Sequence, residues 1–224
     1  MLDRLRAFIG GRPAVAQAAR REVPLAEYDR TLKASLTALP PRTQGAFAAA
    51  CAERLYPAYA AYLRASGRDD EGLVRQALDL AWEEAKTGAD TDGRSSSLAE
   101  RCVALISDGE TGDAIPAHAE DAIASVAYAL QAAAGLDPRA SGWAAERVTN
   151  TLDTFVLSND IDDTLPDADR RVWEHPLVRA EISRRDDDLR RLDSASDWWA
   201  AVDAVHASAT EVSALPLERL AHEA

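Results

Sequence analysis

The sequence predicts an all-α protein: a single-domain bundle of roughly eight to ten helices, one of them kinked near Pro57. Three observations predict it. Apolar residues fill 47% of the 224 positions while aromatics reach only 6%. Alanine supplies much of the difference, which suits closely packed helices better than sheets built on β-branched and aromatic side chains. Proline and glycine recur as starts and stops of helical runs. No stretch shows the two-residue alternation of a half-buried strand.

The elements follow in order. MLDRLRAFIGG places Leu2, Leu5, Phe8 and Ile9 on one helical face and ends at Gly10 and Gly11. Residues 1–21 carry five arginines against Asp3, so residues 1–27 read as a basic amphipathic extension without the continuous apolar core of a signal peptide. Pro24 opens a helix to about Leu39, and Pro40 and Pro41 open the next, which Gly67 ends. Asp69 and Asp70 sit where a helix start favours carboxylates. The helix that follows stops at Gly88, with Leu73, Ala77, Leu80 and Ala81 or Trp82 on its buried face. A loop over 87–97 leads to a helix from Leu98 to Ser107 capped by Ser97. Pro116 opens a helix that Gly135 ends, and Pro138 opens another to about Leu157. After the acidic loop 159–169 come two helices, about 168–193 and 195–213, the second capped by Ser196 or Asp197. Residues 28–195 read as the main domain, and 196–224 as a helix and tail packed on it.

Net charge is −13, which argues against a nucleic-acid partner. No apolar run approaches the roughly 20 residues of a membrane span. Cys51 and Cys102 lack metal or disulfide spacing and sit among apolar neighbours, as core residues of a reducing compartment would. Neither has a neighbouring histidine to activate it as a nucleophile. Four histidines, His118, His175, His206 and His222, cannot supply the two Glu-x-x-His pairs of a di-iron bundle. In the loop NDIDDTLPDAD, counted from Asp160, the sixth position is Leu165 and the twelfth Arg171, so it is no calcium loop. Asp162, Asp163 and Asp167 loosely suggest a magnesium–diphosphate site, but Pro166 interrupts them and a solvated acidic loop is the simpler reading. The run Asp186–Asp188, set among arginines, reads as a solvated helix face. No cofactor is expected.

The residues that stand out form CAERLYPAYAAYL, 51–63. Cys51, Leu55, Ala58 or Tyr59 and Tyr62 share a helical stripe, yet Pro57 removes a backbone donor and crowds the carbonyl of Glu53. Glu53, Arg54, Tyr56 and Tyr59 then bring polar atoms that need partners if buried. The expectation is a partly buried network in which Arg54 pairs with Asp79 or a neighbouring carboxylate. With Trp82, Glu83 and Asp121 these residues form the candidate polar network or pocket.

Glu53-Arg54, Tyr56-Pro57 and Tyr59, followed by Leu78-Asp79 and Trp82-Glu83, and more weakly Asp121-Ala122 and Glu174 with Pro176, Val178 and Glu181, resemble the YjaG family of uncharacterised bacterial proteins. The resemblance spans about residues 30–195. It implies a cytoplasmic all-helical domain and brings no catalytic residues with it.

Two functions compete. The first is a non-enzymatic protein-interaction module. Residues 89–166 hold 14 acidic residues against four basic ones, which would steer a basic partner; an inhibitor or immunity protein for a basic toxin is its narrower form. The second is a small-molecule binder or enzyme using the tyrosine, arginine and carboxylate cluster around Pro57. Trp198 and Trp199 point about 100° apart on a helix, so one neighbour cannot bury both equally. They are the candidate interface, for a protein partner or for a second copy in a homodimer.

Overall fold

The computed structural model describes residues 24–67, 71–88, 93–107 and 115–220. Residues 1–23 of the basic extension, and Asp69 and Asp70, lie outside them. The described residues contain ten helices and no strand. These are α1 (Pro24–Thr37), α2 (Pro41–Ser66), α3 (Glu71–Thr87), α4 (Arg94–Ser107), α5 (Ala117–Ala133), α6 (Ala140–Asn159), α7 (Ala168–Glu174), α8 (Pro176–Asp193), α9 (Trp198–Thr210) and α10 (Leu217–Leu220).

The bundle is built on α2 and α5. Every residue of α5 from Ala122 to Ala133 is buried, as expected of a helix surrounded on all sides. It packs against α2, α3, α4 and α6. The N-terminal part of α2 meets the C-terminal end of α5, where Gly45 lies against Ala133, so the two run antiparallel. The backbones approach so closely there that a Cβ at Gly45 would stand 2.6 Å from the Cα of Ala133. Helices α1 and α7 cover the α6 side, α8 lies across α2 and α6, and α9 rests on α2, α3 and α8.

Most boundaries sit where proline and glycine put them. Pro41 begins α2, and Gly67 ends it in the left-handed conformation at φ 69°, donating its N–H to the carbonyl of Leu63. Helix α2 passes through Pro57 without a break. Three expectations are corrected. Helix α4 starts at Arg94, after Gly93 at φ 77°. Ser97 therefore lies inside the helix, while the buried Ser95 hydroxyl donates to Glu84 Oε2 at 2.6 Å. The span 168–193 is two helices, because Pro176 forces His175 into extended backbone at ψ 135°. His175 Nδ1 then accepts the N–H of Leu177 and caps α8. Finally, residues 24–27 belong to α1 rather than to a separate extension.

Asp197 caps α9 by accepting the amide of Ala200 at 3.1 Å. The indole N–H of Trp198 points at the carbonyls of Ala85 and Lys86, 3.2 Å from each, and so satisfies carbonyls in the last turn of α3 that lack helical partners. Trp198 is thereby half-buried and tied to α3, whereas Trp199 is 54% exposed.

Candidate functional site

Arg54 is 1% exposed, so its five guanidinium donors need partners inside the protein. Its carboxylate partners come from α8, across the bundle. Nε donates to Glu181 Oε1 at 3.1 Å and Nη1 to Asp188 Oδ2 at 2.7 Å. A second buried arginine extends the network: Arg185 Nε donates to Glu181 Oε1 at 3.0 Å and its Nη1 to the Thr149 hydroxyl at 3.0 Å. Thr149 donates in turn to Asp29 Oδ1 at 3.1 Å. Arg54 and Arg185 thus link α1, α2, α6 and α8.

Burial would raise the Glu181 carboxyl, but the guanidinia of Arg54 and Arg185 outweigh it and hold the group below the usual carboxylate range. Asp188 lies near the same Arg54, yet burial wins there and its carboxyl is raised. Beside the network lies a cavity of about 10 Å³ lined by Leu25, Thr149, Leu152, Glu181 and Arg185. That is room for about one water, against the hundreds of Å³ of an ordinary ligand pocket.

Glu53 leaves α2 about 100° round the helix from Arg54 and gathers a separate cluster. Arg75 binds it with both Nη atoms, at 2.7 and 3.0 Å, and the Trp82 indole N–H donates to Glu53 Oε2 at 2.9 Å. His206 from α9 stacks on Trp82 with ring centroids 4.4 Å apart and sets Nε2 3.8 Å from Glu53 Oε2. Arg75 also lies over the Tyr56 ring at 4.9 Å. Four of the candidate residues meet here, since Asp79 accepts from Arg75 Nε at 2.7 Å and joins Glu53, Tyr56 and Trp82.

The other candidates go elsewhere, and the Arg54–Asp79 pairing is corrected. Asp79 is exposed and tied to Arg75 one turn earlier on α3, while Arg54 turns the other way to α8. Tyr59 is buried, its ring 6.3 Å from that of Tyr56. Glu83 is exposed. Asp121 accepts from Arg147 at 3.1 Å and from the Thr151 hydroxyl at 2.9 Å, which joins α5 to α6. Arg54, Tyr56, Tyr59 and Asp79 therefore do not converge on one open pocket.

Sequence reasoning missed Arg185, Asp188, Arg75 and His206 as members of these clusters, and the solvated reading of 186–188 is corrected. Asp186 and Asp187 are exposed, but Asp188 is 4% exposed and Arg185 1%. The signal was the spacing, because Glu181, Arg185 and Asp188 repeat at four and three residues in register with the apolar Val178, Ile182 and Leu192.

The remaining chemistry is local. In the acidic loop Asp162 accepts the amide and hydroxyl of Thr164, Asp167 pairs with Arg170 and Arg171, and Asp160 holds Arg219 with both oxygens. Among the described residues no group of three or more His, Cys, Asp and Glu side chains is placed to share a metal ion. Burial pushes the Cys51 thiol up to about 11 and the Cys102 thiol up to about 12. A thiol-reactive probe at about pH 8 is therefore expected to label neither cysteine in the native protein and both in denaturant. Labelling of the native protein at either site, read by mass spectrometry, would contradict this.

The comparisons match this architecture. The family model described as "Protein of unknown function (DUF416)" matches residues 31–212, so the match runs on through α9, beyond residue 195. A solved structure, a DUF416 family protein from Shewanella baltica OS155, superposes with a TM-score of 0.69 at 18% identity, covering 81% of this chain and 95% of that one. At that identity the likeness speaks for the fold. No curated protein matches the chain. The chain belongs to the DUF416 family of proteins of unknown function, the YjaG family that its Glu53–Tyr59 and Leu78–Glu83 segments resemble.

Proposed function

We propose that the protein is a non-enzymatic interaction module that presents the start of α9 to a protein partner. The observation that supports this is Trp199. A tryptophan 54% exposed is costly to leave in water, and aromatics of this kind anchor protein interfaces. The helix turn that carries Trp199 is anchored before any partner arrives. The adjacent Trp198 is tied to α3 and faced by Arg42 at 4.7 Å, and Lys86 Nζ, paired with Asp203 at 2.5 Å, lies 4.9 Å over the Trp199 ring. An anchored backbone loses little freedom on binding. The net charge of −13 favours a basic partner, and an inhibitor of a basic toxin is the narrower form of the same reading.

The test is affinity capture from the native cell with wild type, Trp199→Ser, and Leu136→Ser as a control at another exposed apolar residue, 48% exposed. The expected result is a basic protein retained by wild type and the control but reduced about tenfold by Trp199→Ser. Equal recovery with all three baits, in a protein that light scattering shows to be monomeric, would overturn the reading. A dimer lost on Trp199→Ser would identify the partner as a second copy.

A further inference from the structure

We infer that residues 212–220 form a releasable strap, seated on α2 at the turn that Pro57 opens. Proline has no N–H to give the carbonyl of Glu53, and its ring crowds that carbonyl, which favours opening of the turn from residue 53 to 57. A carbonyl inside a helix is normally committed to the amide four residues on. The Arg54 carbonyl, next to the one Pro57 abandons, also accepts the amide of Ala214 at 2.8 Å. A backbone bond thus joins the middle of the central helix to a non-helical segment near the other end of the chain.

The strap's other attachments are few. Ala214, Leu215 and Leu220 are buried. Ser213 Oγ accepts the amide of Leu215 at 3.3 Å, a purely local bond. At the far end Arg219 holds Asp160 with two bonds, 2.9 and 3.1 Å long, and lies 4.7 Å over Phe155. The pair is partly exposed, so solvent and salt screen it. Among the described residues the strap is held by one long-range backbone bond, three buried apolar side chains and a partly exposed ion pair, whereas α5 is enclosed on every side. A chain segment with so few long-range bonds can open locally without unfolding the rest. We assign Pro57 as the determinant, because its missing donor and its ring loosen the turn that carries the Arg54 carbonyl. The inference does not depend on Trp199 or on the proposed function.

Hydrogen exchange on the full chain, read by mass spectrometry, tests it. In wild type the amides of 212–220 are expected to exchange at least about tenfold faster than those of α5. Pro57→Ala closes the α2 turn and withdraws the Arg54 carbonyl. Ala214→Pro deletes the donor without touching α2, and serves if Pro57→Ala fails to fold. Each is expected to speed exchange of the remaining strap amides about tenfold further while α5 is unchanged. Three outcomes would overturn the inference: strap amides as slow as those of α5 in wild type, strap amides unmoved by either variant, or α5 accelerating in step with the strap.

Discussion

Replacing Arg54 with alanine is expected to cost about 3–5 kcal/mol of stability, a fall in Tm on the order of 10 °C for a chain of this size. The magnitude comes from what the substitution leaves behind. Glu181 and Asp188 are 1% and 4% exposed, and without the guanidinium two buried carboxylates face each other across the space it filled. Arg185 still serves Glu181, but Asp188 loses the bond to Arg54 Nη1. Lysine cannot repair the loss, because a point charge cannot reproduce the fork that reaches Glu181 and Asp188 together. The coupling is measurable. Asp188→Asn should cost less in the Arg54→Ala background than in wild type, with a coupling energy of about 0.5–3 kcal/mol. An unchanged Tm for Arg54→Ala in thermal unfolding would show that the network does not hold α2 to α8.

The fold was legible because its punctuation is covalent. Pro41, Gly67, Gly88 and Gly135 mark helix ends in the sequence and in the structure alike, since missing donors and left-handed backbone do not wait for tertiary contacts. The break before Pro176 was written in the same code. Polar residues on both sides of it give the sequence the appearance of one long helix.

The site was legible only by half. Glu53 and Arg54 stood out as charges inside an apolar helix, and that is where both clusters begin. Their partners could not be read from proximity in the chain, because Glu181 is 127 positions away from Arg54. What would have found it is the register of α8, where charged residues occupy core positions, a pattern that charge composition alone makes look solvated. Trp198 and Trp199 differ for a reason the sequence does contain, the 100° between neighbours on a helix. Which of the two would be tied down depended on where α3 ended.

Gly45→Ala carries the second large effect, and its sign runs against helix propensity. Glycine within a helix is less favourable than alanine by about 0.5–1 kcal/mol, so in isolation the substitution would stabilise α2. In the bundle the new Cβ would stand 2.6 Å from the Cα of Ala133, 3.0 Å from its Cβ and 3.1 Å from its backbone nitrogen. Backbone cannot rotate away, so α2 and α5 must separate where Gly45 meets Ala133. Overpacking of this kind costs about 1–3 kcal/mol, which outweighs the propensity gain. Two companions distinguish this cause from a general intolerance of the site. Ala133→Gly should not rescue Gly45→Ala, because the Cα and nitrogen remain after the methyl is gone. Gly142→Ala should cost less than Gly45→Ala, because its Cβ would meet Lys33 Cγ at 2.8 Å, a side-chain atom that a χ1 change can move, and no backbone atom nearer than 3.6 Å. If denaturant unfolding found Gly45→Ala as stable as wild type, the two central helices would be free to part by a methyl's width, and the close approach of α2 to α5 would not be what fixes the bundle.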